Sequence, residues 1–118
     1  MTKILYHDAQ HERAFPVVLS WMPKVDEEHA AAAYLLALDI DHADSLFDFD
    51  GDMIRPEGLC EPWQTGTSTR TTRLLFNLWN GWSGDENAYL CTPENLFCCE
   101  YAPVYWQAIK LRFPYYTE

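Results

Sequence analysis

Apolar residues recur at intervals of three and four along much of the chain, the spacing of amphipathic helices. The clearest run is Ala31, Tyr34, Leu35 and Leu38, which shares one helical face. Asp26 precedes this run as a suitable N-cap, and the two glutamates after it favour a helix N-terminus. The pattern therefore predicts a helix that begins after Asp26 and buries one face.

A first helix is predicted from residue 9, with Asp8 as its N-cap. Pro16 lacks the N–H that an interior turn requires, so we expect a kink or a restart there. The apolar face continues beyond it through Val17, Val18, Trp21 and Met22. We expect Pro23 to end this helix.

The middle of the chain is irregular. A short third helix, with Asp41 as its cap, is predicted from Ile40, Ala43, Leu46 and Phe47. Residues 50–52 are typical of a turn. The predicted fold also allows one short β-hairpin, which the sequence pattern does not place. We expect residues 55–62 to form an irregular connector with one helical turn.

Two longer helices follow. One is capped by Ser68 or a neighbouring threonine and ends at Gly81, and the last covers residues 100–113 with Pro103 in its first turn. The predicted fold class is therefore all-α for most of the chain. We expect a compact single domain, residues 1–118, of about four to five short helices with an irregular acidic connector.

Composition narrows the class of protein. The chain has 118 residues, 48% of them hydrophobic, and a formal net charge of −10. This charge disfavours direct binding to nucleic acid or to an anionic membrane, and permits binding to a basic protein surface. There is no long apolar run and no signal-peptide pattern, so we expect a cytoplasmic protein with four reduced cysteines.

Acidic residues crowd the segment 39–61, which holds eight acids and one arginine. The candidate interaction residues are Asp39, Asp41, Asp44, Asp48, Asp50 and Asp52. If residues 48–52 are extended, alternate aspartates project to one side at roughly 6.6 Å intervals and imitate a phosphate backbone. The alternative is that these carboxylates are caps, turn residues and a solvated face.

Arg70 and Arg73 follow this acidic segment and share a helical face. One interpretation is anion capture near the helix N-terminus. The favoured interpretation is that both arginines pair with carboxylates of residues 39–61 and close the fold. In that case Trp63 is the buried anchor of the preceding loop and Gln64 is its hydrogen-bonding hinge.

Metal and catalytic motifs are weak. The aspartates do not match the EF-hand pattern, since Met53 and Leu59 fall where it requires glycine and glutamate. His7 and His11 are four residues apart, but no zinc motif joins them. We expect no metal and no other cofactor. A cysteine-dependent hydrolase or transferase that uses Cys98 or Cys99 with a histidine stays as an alternative.

Three segments carry a family resemblance: residues 61–81 with the sequence EPWQTGTS near their start, residues 48–57, and residues 96–112. Together they resemble an uncharacterised family of small proteins from phages and mobile elements of Gram-positive gut bacteria. The likeness covers most of residues 26–114, and Pro16 departs from it. The resemblance implies a small intracellular protein of a mobile element and supplies no catalytic residues.

These observations predict a non-enzymatic protein that acts through protein–protein interaction, with its acidic face on a basic partner. Inhibition of a nucleic-acid-binding protein by acidic mimicry is one concrete version. A third possibility is a structural homo-oligomer that buries Trp106, Tyr115 and Tyr116.

Overall fold

Most of the backbone is helical and one short β-hairpin lies in mid-chain, which confirms the predicted fold class. The computed structural model describes residues 3–117, and residues 85–87 by their backbone alone. The α-helices are α1 (Ala9–Trp21), α2 (Glu27–Leu36), α3 (Ala43–Leu46), α4 (Gly66–Asn80), α5 (Pro93–Leu96) and α6 (Ala102–Arg112). The strands are β1 (Phe47–Asp48) and β2 (Met53–Ile54), and 3₁₀ turns cover Ala37–His42, Pro56–Cys60 and Asp85–Cys91.

Helix α2 lies at the centre and packs against α1, α4 and α6. Every residue from 31 to 37 is buried, so the prediction of a single buried face was too narrow. A helix that is apolar on nearly all sides is typical of a core surrounded by other helices. Its alanines let the neighbours approach closely, while Tyr34 and Tyr105 are fully buried. The radius of gyration, 13.2 Å, is that of one globular domain.

Helix α1 runs without interruption through Pro16, so the predicted restart is wrong. Pro16 and Glu12 both lie on the exposed side, where water can hydrate the carbonyl oxygen that the proline leaves without a donor. The cap predicted for this helix is confirmed, because Asp8 Oδ1 accepts the backbone N–H of His11 at 2.8 Å. The Asp26 cap of α2 is confirmed in the same way, at 2.9 Å from the backbone nitrogen of His29.

The segment after α2 turns sharply at Asp39, whose φ of −148° and ψ of 76° interrupt the 3₁₀ turn. His42 occupies the N-cap position of α3 without a side-chain bond, so the predicted Asp41 cap is wrong. The antiparallel hairpin pairs Phe47 with Ile54. The helical turn predicted for the connector forms at Pro56–Cys60, where buried Gly58 packs directly against the backbone of α3.

Helix α4 begins at Gly66, capped by Thr65 in a capping box with Ser68. It ends at Gly81, whose φ of 79° is the left-handed conformation of a helix C-cap. Helix α6 is two residues shorter at its start, and one at its end, than the predicted range of 100–113. Helices α2 and α4 supply most of the walls of the candidate site, and Glu100 and Tyr101, just before α6, complete it.

Candidate functional site

The row of aspartates predicted for residues 48–52 does not form. Asp48 Oδ1 accepts the backbone N–H groups of Asp50 and Gly51 at 3.1 and 3.0 Å, which closes a tight turn. Asp52 follows with φ of 57°, a left-handed conformation that aspartate adopts more readily than most residues. Since the turn abolishes the alternation of an extended strand, the expected phosphate-like spacing is wrong.

Asp52 instead binds a buried histidine. Nε2 of His29 lies 2.7 Å from Asp52 Oδ1, and its Nδ1 lies 2.7 Å from Asp26 Oδ1. Ionised carboxylates only accept hydrogen bonds, so both ring nitrogens donate and His29 is an imidazolium. Burial acts to lower the pKa of His29, but the hydrogen bonds and charges of the two aspartates outweigh burial and raise it. The network ties the start of α2 to the hairpin.

His11 is buried in the opposite protonation state. Its Nδ1 accepts the backbone N–H of His7 at 3.0 Å, and its Nε2–H donates to the carbonyl oxygen of Tyr34 at 2.8 Å. Burial lowers the pKa of His11 by more than the Tyr34 bond and the charge of Asp8 raise it. Both ring nitrogens are therefore occupied, and the pair His7 and His11 does not present its rings to one metal ion.

The predicted clamp between Arg70, Arg73 and the acidic segment is wrong. Arg70 Nε donates to the carbonyl oxygen of Asn95 at 3.1 Å, and its Nη1 donates to that of Gly66 at 3.2 Å. Arg73 lies beside Cys91. Burial raises the pKa of that thiol by more than the arginine lowers it. Neither arginine forms an ion pair with residues 39–61, all of which the structure describes.

Two other arginines form ion pairs, and one of them pairs with the acidic segment. Arg55 Nη2 lies 3.6 Å from Asp48 Oδ1 within the hairpin region. Arg112 Nε donates to the carbonyl oxygen of Leu78 at 2.8 Å, and its Nη2 lies 3.5 Å from Glu28 Oε2. Arg112 thus joins the end of α6 to the last turn of α4 and the first turn of α2.

Gln64 connects the loop before α4 to the helix itself. Its Nε2 donates to the carbonyl oxygen of Gly58 and to the hydroxyl of Thr72, each at 3.1 Å. Its Oε1 accepts the hydroxyl of Ser68 at 2.6 Å. One amide side chain therefore fixes the Pro56–Cys60 turn against the N-terminal half of α4.

Trp63 is half-buried against the core and stacks on His42, with ring centroids 4.0 Å apart and planes at 11°. Nδ1 of His42 lies 2.7 Å from Asp39 Oδ2. The ring stack and this bond link the loop before α4 to the 3₁₀ turn after α2. Between these two segments lies a cavity.

The cavity has a volume of about 250 Å³ and is partly open to solvent. Its apolar wall consists of Leu35, Leu36, Leu38, Leu46 and Trp63. Its hydroxyl wall, from the start of α4, consists of Thr65, Thr67, Ser68, Thr71 and Thr72. Asp39, Glu100 and Tyr101 complete the lining.

Carboxylates gather at this cavity and at a smaller one beside it. The smaller cavity, about 80 Å³, lies between residues 7–11 and 37–41 and is lined in part by Asp8, Asp39 and Asp41. Burial raises the pKa of the Tyr101 phenol, and the charges of Glu100, Asp8 and Asp39 raise it further. We call Asp8, Asp39, Asp41 and Glu100 the acidic rim. Within the described residues, no lysine or arginine lines either cavity.

Of the six predicted interaction aspartates, two belong to the acidic rim, Asp39 and Asp41. Asp44 and Asp50 are exposed but line neither cavity, whereas Asp48 and Asp52 bind groups of the protein itself. The sequence reasoning missed Asp8 and Glu100 as members of this site. Asp8 was recognised only as a cap, and Glu100 stands alone in an apolar segment, so local charge density gave no signal for either.

The thiols do not assemble with a histidine. All four cysteines are free, as predicted. Cys98 Sγ donates to the carbonyl oxygen of Asn95 at 3.4 Å, and Cys99 Sγ donates to that of Leu96 at 3.7 Å. Across residues 3–117 the hydrogen bonds bring neither thiol to an imidazole nitrogen, so the structure offers no support for the cysteine-dependent alternative.

The fold and the site define a mostly helical single-domain protein with an acidic, partly open cavity. The chain belongs to DUF6075, a family of unknown function whose family model matches residues 1–118. This match confirms the predicted membership of an uncharacterised family. No curated protein and no solved structure matches the chain. In the part of the chain that the structure describes, no helix has the length and hydropathy of a bilayer span.

Proposed function

We propose that this protein is a non-enzymatic binding protein whose acidic rim captures a basic segment of another protein. One observation carries the proposal. Carboxylates from three separate parts of the chain surround two adjoining cavities that, among the described residues, no lysine or arginine lines. A surface built in this way attracts a cationic partner and repels an anionic one.

Charge over the whole molecule supports this choice of partner. The formal net charge of −10 repels nucleic acid and anionic lipid at long range and accelerates encounter with a basic protein. Basic surfaces are characteristic of proteins that hold a phosphate backbone. The partner that fits is therefore a nucleic-acid-binding protein, and occupation of its groove would inhibit it.

The mobile-element setting that the sequence resemblance implies gives this inhibition a role. A small accessory protein in the cytoplasm that blocks a nucleic-acid-processing protein of the host, or of the element itself, fits both the charge and the size of the chain. The aspartate spacing does not support this mimicry, since the extended row is absent. The acidic rim supports it instead.

The test compares two variants of equal net charge. The rim variant carries Asp39→Asn, Asp41→Asn and Glu100→Gln. The control variant carries Asp44→Asn, Asp50→Asn and Glu94→Gln, three exposed acids that line neither cavity. Each loses three negative charges from the net charge of −10, so only the position of the lost charge differs.

Tagged wild-type protein should capture a basic protein from a lysate, and capture should weaken as salt rises. The control variant should retain that partner and the rim variant should lose it, with thermal unfolding used to verify that both are folded. Equal capture by the rim variant and the wild type would contradict the proposal, as would capture that does not respond to salt.

A homo-oligomer is the second candidate, and one observation favours it. Trp106, Tyr115 and Tyr116 are exposed by 48%, 82% and 87%, and they cluster near the end of the chain. Aromatic side chains are enriched at protein interfaces. Light scattering across a dilution series decides this, since a dimer would show a mass that falls on dilution.

A further inference from the structure

The larger cavity fits one side chain. Its volume of about 250 Å³ lies below the roughly 300–1,000 Å³ of clefts that bind drug-sized ligands. A protein partner that docks on the acidic rim would therefore place a single side chain in it.

The apolar wall suits a long alkyl stem. Leu35, Leu36 and Leu46 line the cavity and are exposed by only 2%, 2% and 7%. The stems of arginine and lysine pack along apolar surface while their charged ends stay with polar groups. A stem of this kind would cover the leucines and leave its cationic end at the opening.

Most hydroxyl groups of this wall already make hydrogen bonds within the protein. Ser68 and Thr72 are bonded to Gln64, and the hydroxyl of Thr71 lies 2.7 Å from that of Tyr105. These groups hold the cavity in shape before any ligand enters, which lowers the entropic cost of binding.

Two carboxylates at the opening keep acceptor oxygens that the described part of the protein does not use. Asp39 uses one carboxylate oxygen on His42, and within residues 3–117 its second oxygen and both oxygens of Glu100 have no hydrogen-bond donor. The matching ligand is rich in donors and positively charged.

Aromatic rings at the same opening favour arginine over lysine. Trp63 and Tyr101 both line the cavity. A guanidinium is planar, pairs with carboxylates through two N–H groups and stacks on aromatic faces, whereas an ammonium is a strongly hydrated point charge. Both the carboxylates and the rings can therefore contact the same arginine head group.

We infer that this cavity is a recognition pocket for an arginine side chain of the basic partner. Asp39 and Glu100 bind the guanidinium, Trp63 and Tyr101 contact its plane, and the leucines cover its stem. The inference rests on the proposed function and names the group that the acidic rim recognises.

The test uses short peptides that are identical except for one central residue: arginine, lysine or the neutral isostere citrulline. Titration calorimetry at physiological salt should show that the arginine peptide binds about tenfold more tightly than the lysine peptide. The difference from the citrulline peptide should be about tenfold or larger. The NMR signals of the Trp63 indole and the His42 ring should shift in the arginine complex.

Two pairs of variants locate the site. Glu100→Gln should weaken the arginine peptide about tenfold, and Glu94→Gln should leave its affinity unchanged. Thr67→Phe fills the cavity without a change of charge and should abolish the preference for arginine. Thr69→Phe, on the same helix but outside the lining, should retain it.

The outcomes separate the inference from the proposed function. Equal affinity for the arginine and lysine peptides, both lost in the rim variant, would overturn the arginine pocket and leave the acidic rim as a general basic site. Failure of every basic peptide to bind would overturn the arginine pocket. The proposed function would then still be decided by comparing partner capture by the rim variant and the control variant. Binding that leaves Trp63 and His42 unshifted would overturn the location.

Discussion

Nε2 of His29 lies 2.7 Å from Oδ1 of Asp52, although 23 residues separate them along the chain. Nδ1 of the same ring lies 2.7 Å from Asp26 Oδ1, and the two contacts together require a protonated imidazole, so folding raises the histidine pKa above its ordinary value of 6.5. The contribution of His29 to stability is therefore fully present below pH 6.5 and is lost as the pH rises through the pKa of the folded state.

Asp52→Asn should lower the free energy of unfolding by about 1 kcal/mol below pH 6.5, because a neutral hydrogen bond replaces a charge-assisted one. Asparagine tolerates the left-handed backbone at this position, so no strain is added. Urea unfolding across a pH series measures the loss, which should shrink in alkaline buffer. The control is Asp50→Asn, on the same turn but exposed, which should match the wild type at every pH.

The two buried histidines should titrate on opposite sides of pH 6.5. The folded pKa of His11 is lowered, so its contribution to stability is present above pH 6.5 and is lost as the pH falls through that lowered value. Stability should therefore peak near pH 6.5 when these two groups dominate. NMR titration of the ring C–H signals checks the order, and a His11 pKa above that of His29 would contradict it.

Gly58→Ala should destabilise the fold by about 1–3 kcal/mol through overpacking. An added Cβ would overlap the carbonyl oxygen of Ser45 and would lie 2.8 Å from Cδ2 of Leu46. Gly66→Ala is the matched control, since its Cβ would meet only an arginine nitrogen at 3.9 Å. Chemical denaturation should show a loss for the first variant alone, and equal midpoints would refute the close packing.

Arg112→Gln should cost about 1.5–3 kcal/mol, because it removes a charge-assisted bond to the end of α4. Lys110→Gln is the control: it removes the same charge from the last turn of α6 and should cost no more than about 1 kcal/mol. Thermal unfolding of both variants gives the difference. A similar loss in both would assign the effect to the helix dipole rather than to the contact with Leu78.

Features set by residues close in sequence could be predicted. Asp8 and Asp26 cap their helices as expected because a cap depends only on the three residues that follow it. The tight turn at residues 50–52 and the turn of the connector followed from aspartate, glycine and proline in the same way. There were two local exceptions. The exposed position of Pro16 lets α1 continue, and His42 rather than Asp41 occupies the N-cap of α3.

Contacts between distant segments could not be predicted. Sequence placed Arg70 and Arg73 near the acidic residues only because they follow them in the chain, whereas the rotation of α4 directs them towards residues 91–95. Arg112 reaches Leu78 across 34 residues, and no spacing rule indicates that contact. For the candidate site, Asp39 and Asp41 could be found from charge density, and the cavity beside them could not.

The acidic rim is a discontinuous epitope, because Asp8, the pair Asp39 and Asp41, and Glu100 come from three distant segments of the chain. A peptide of residues 39–61 would carry the whole acidic segment and would still lack the recognition surface. Any partner of this surface binds only the folded chain and therefore raises its melting temperature, so a thermal-shift screen of basic proteins could identify the partner without a functional assay.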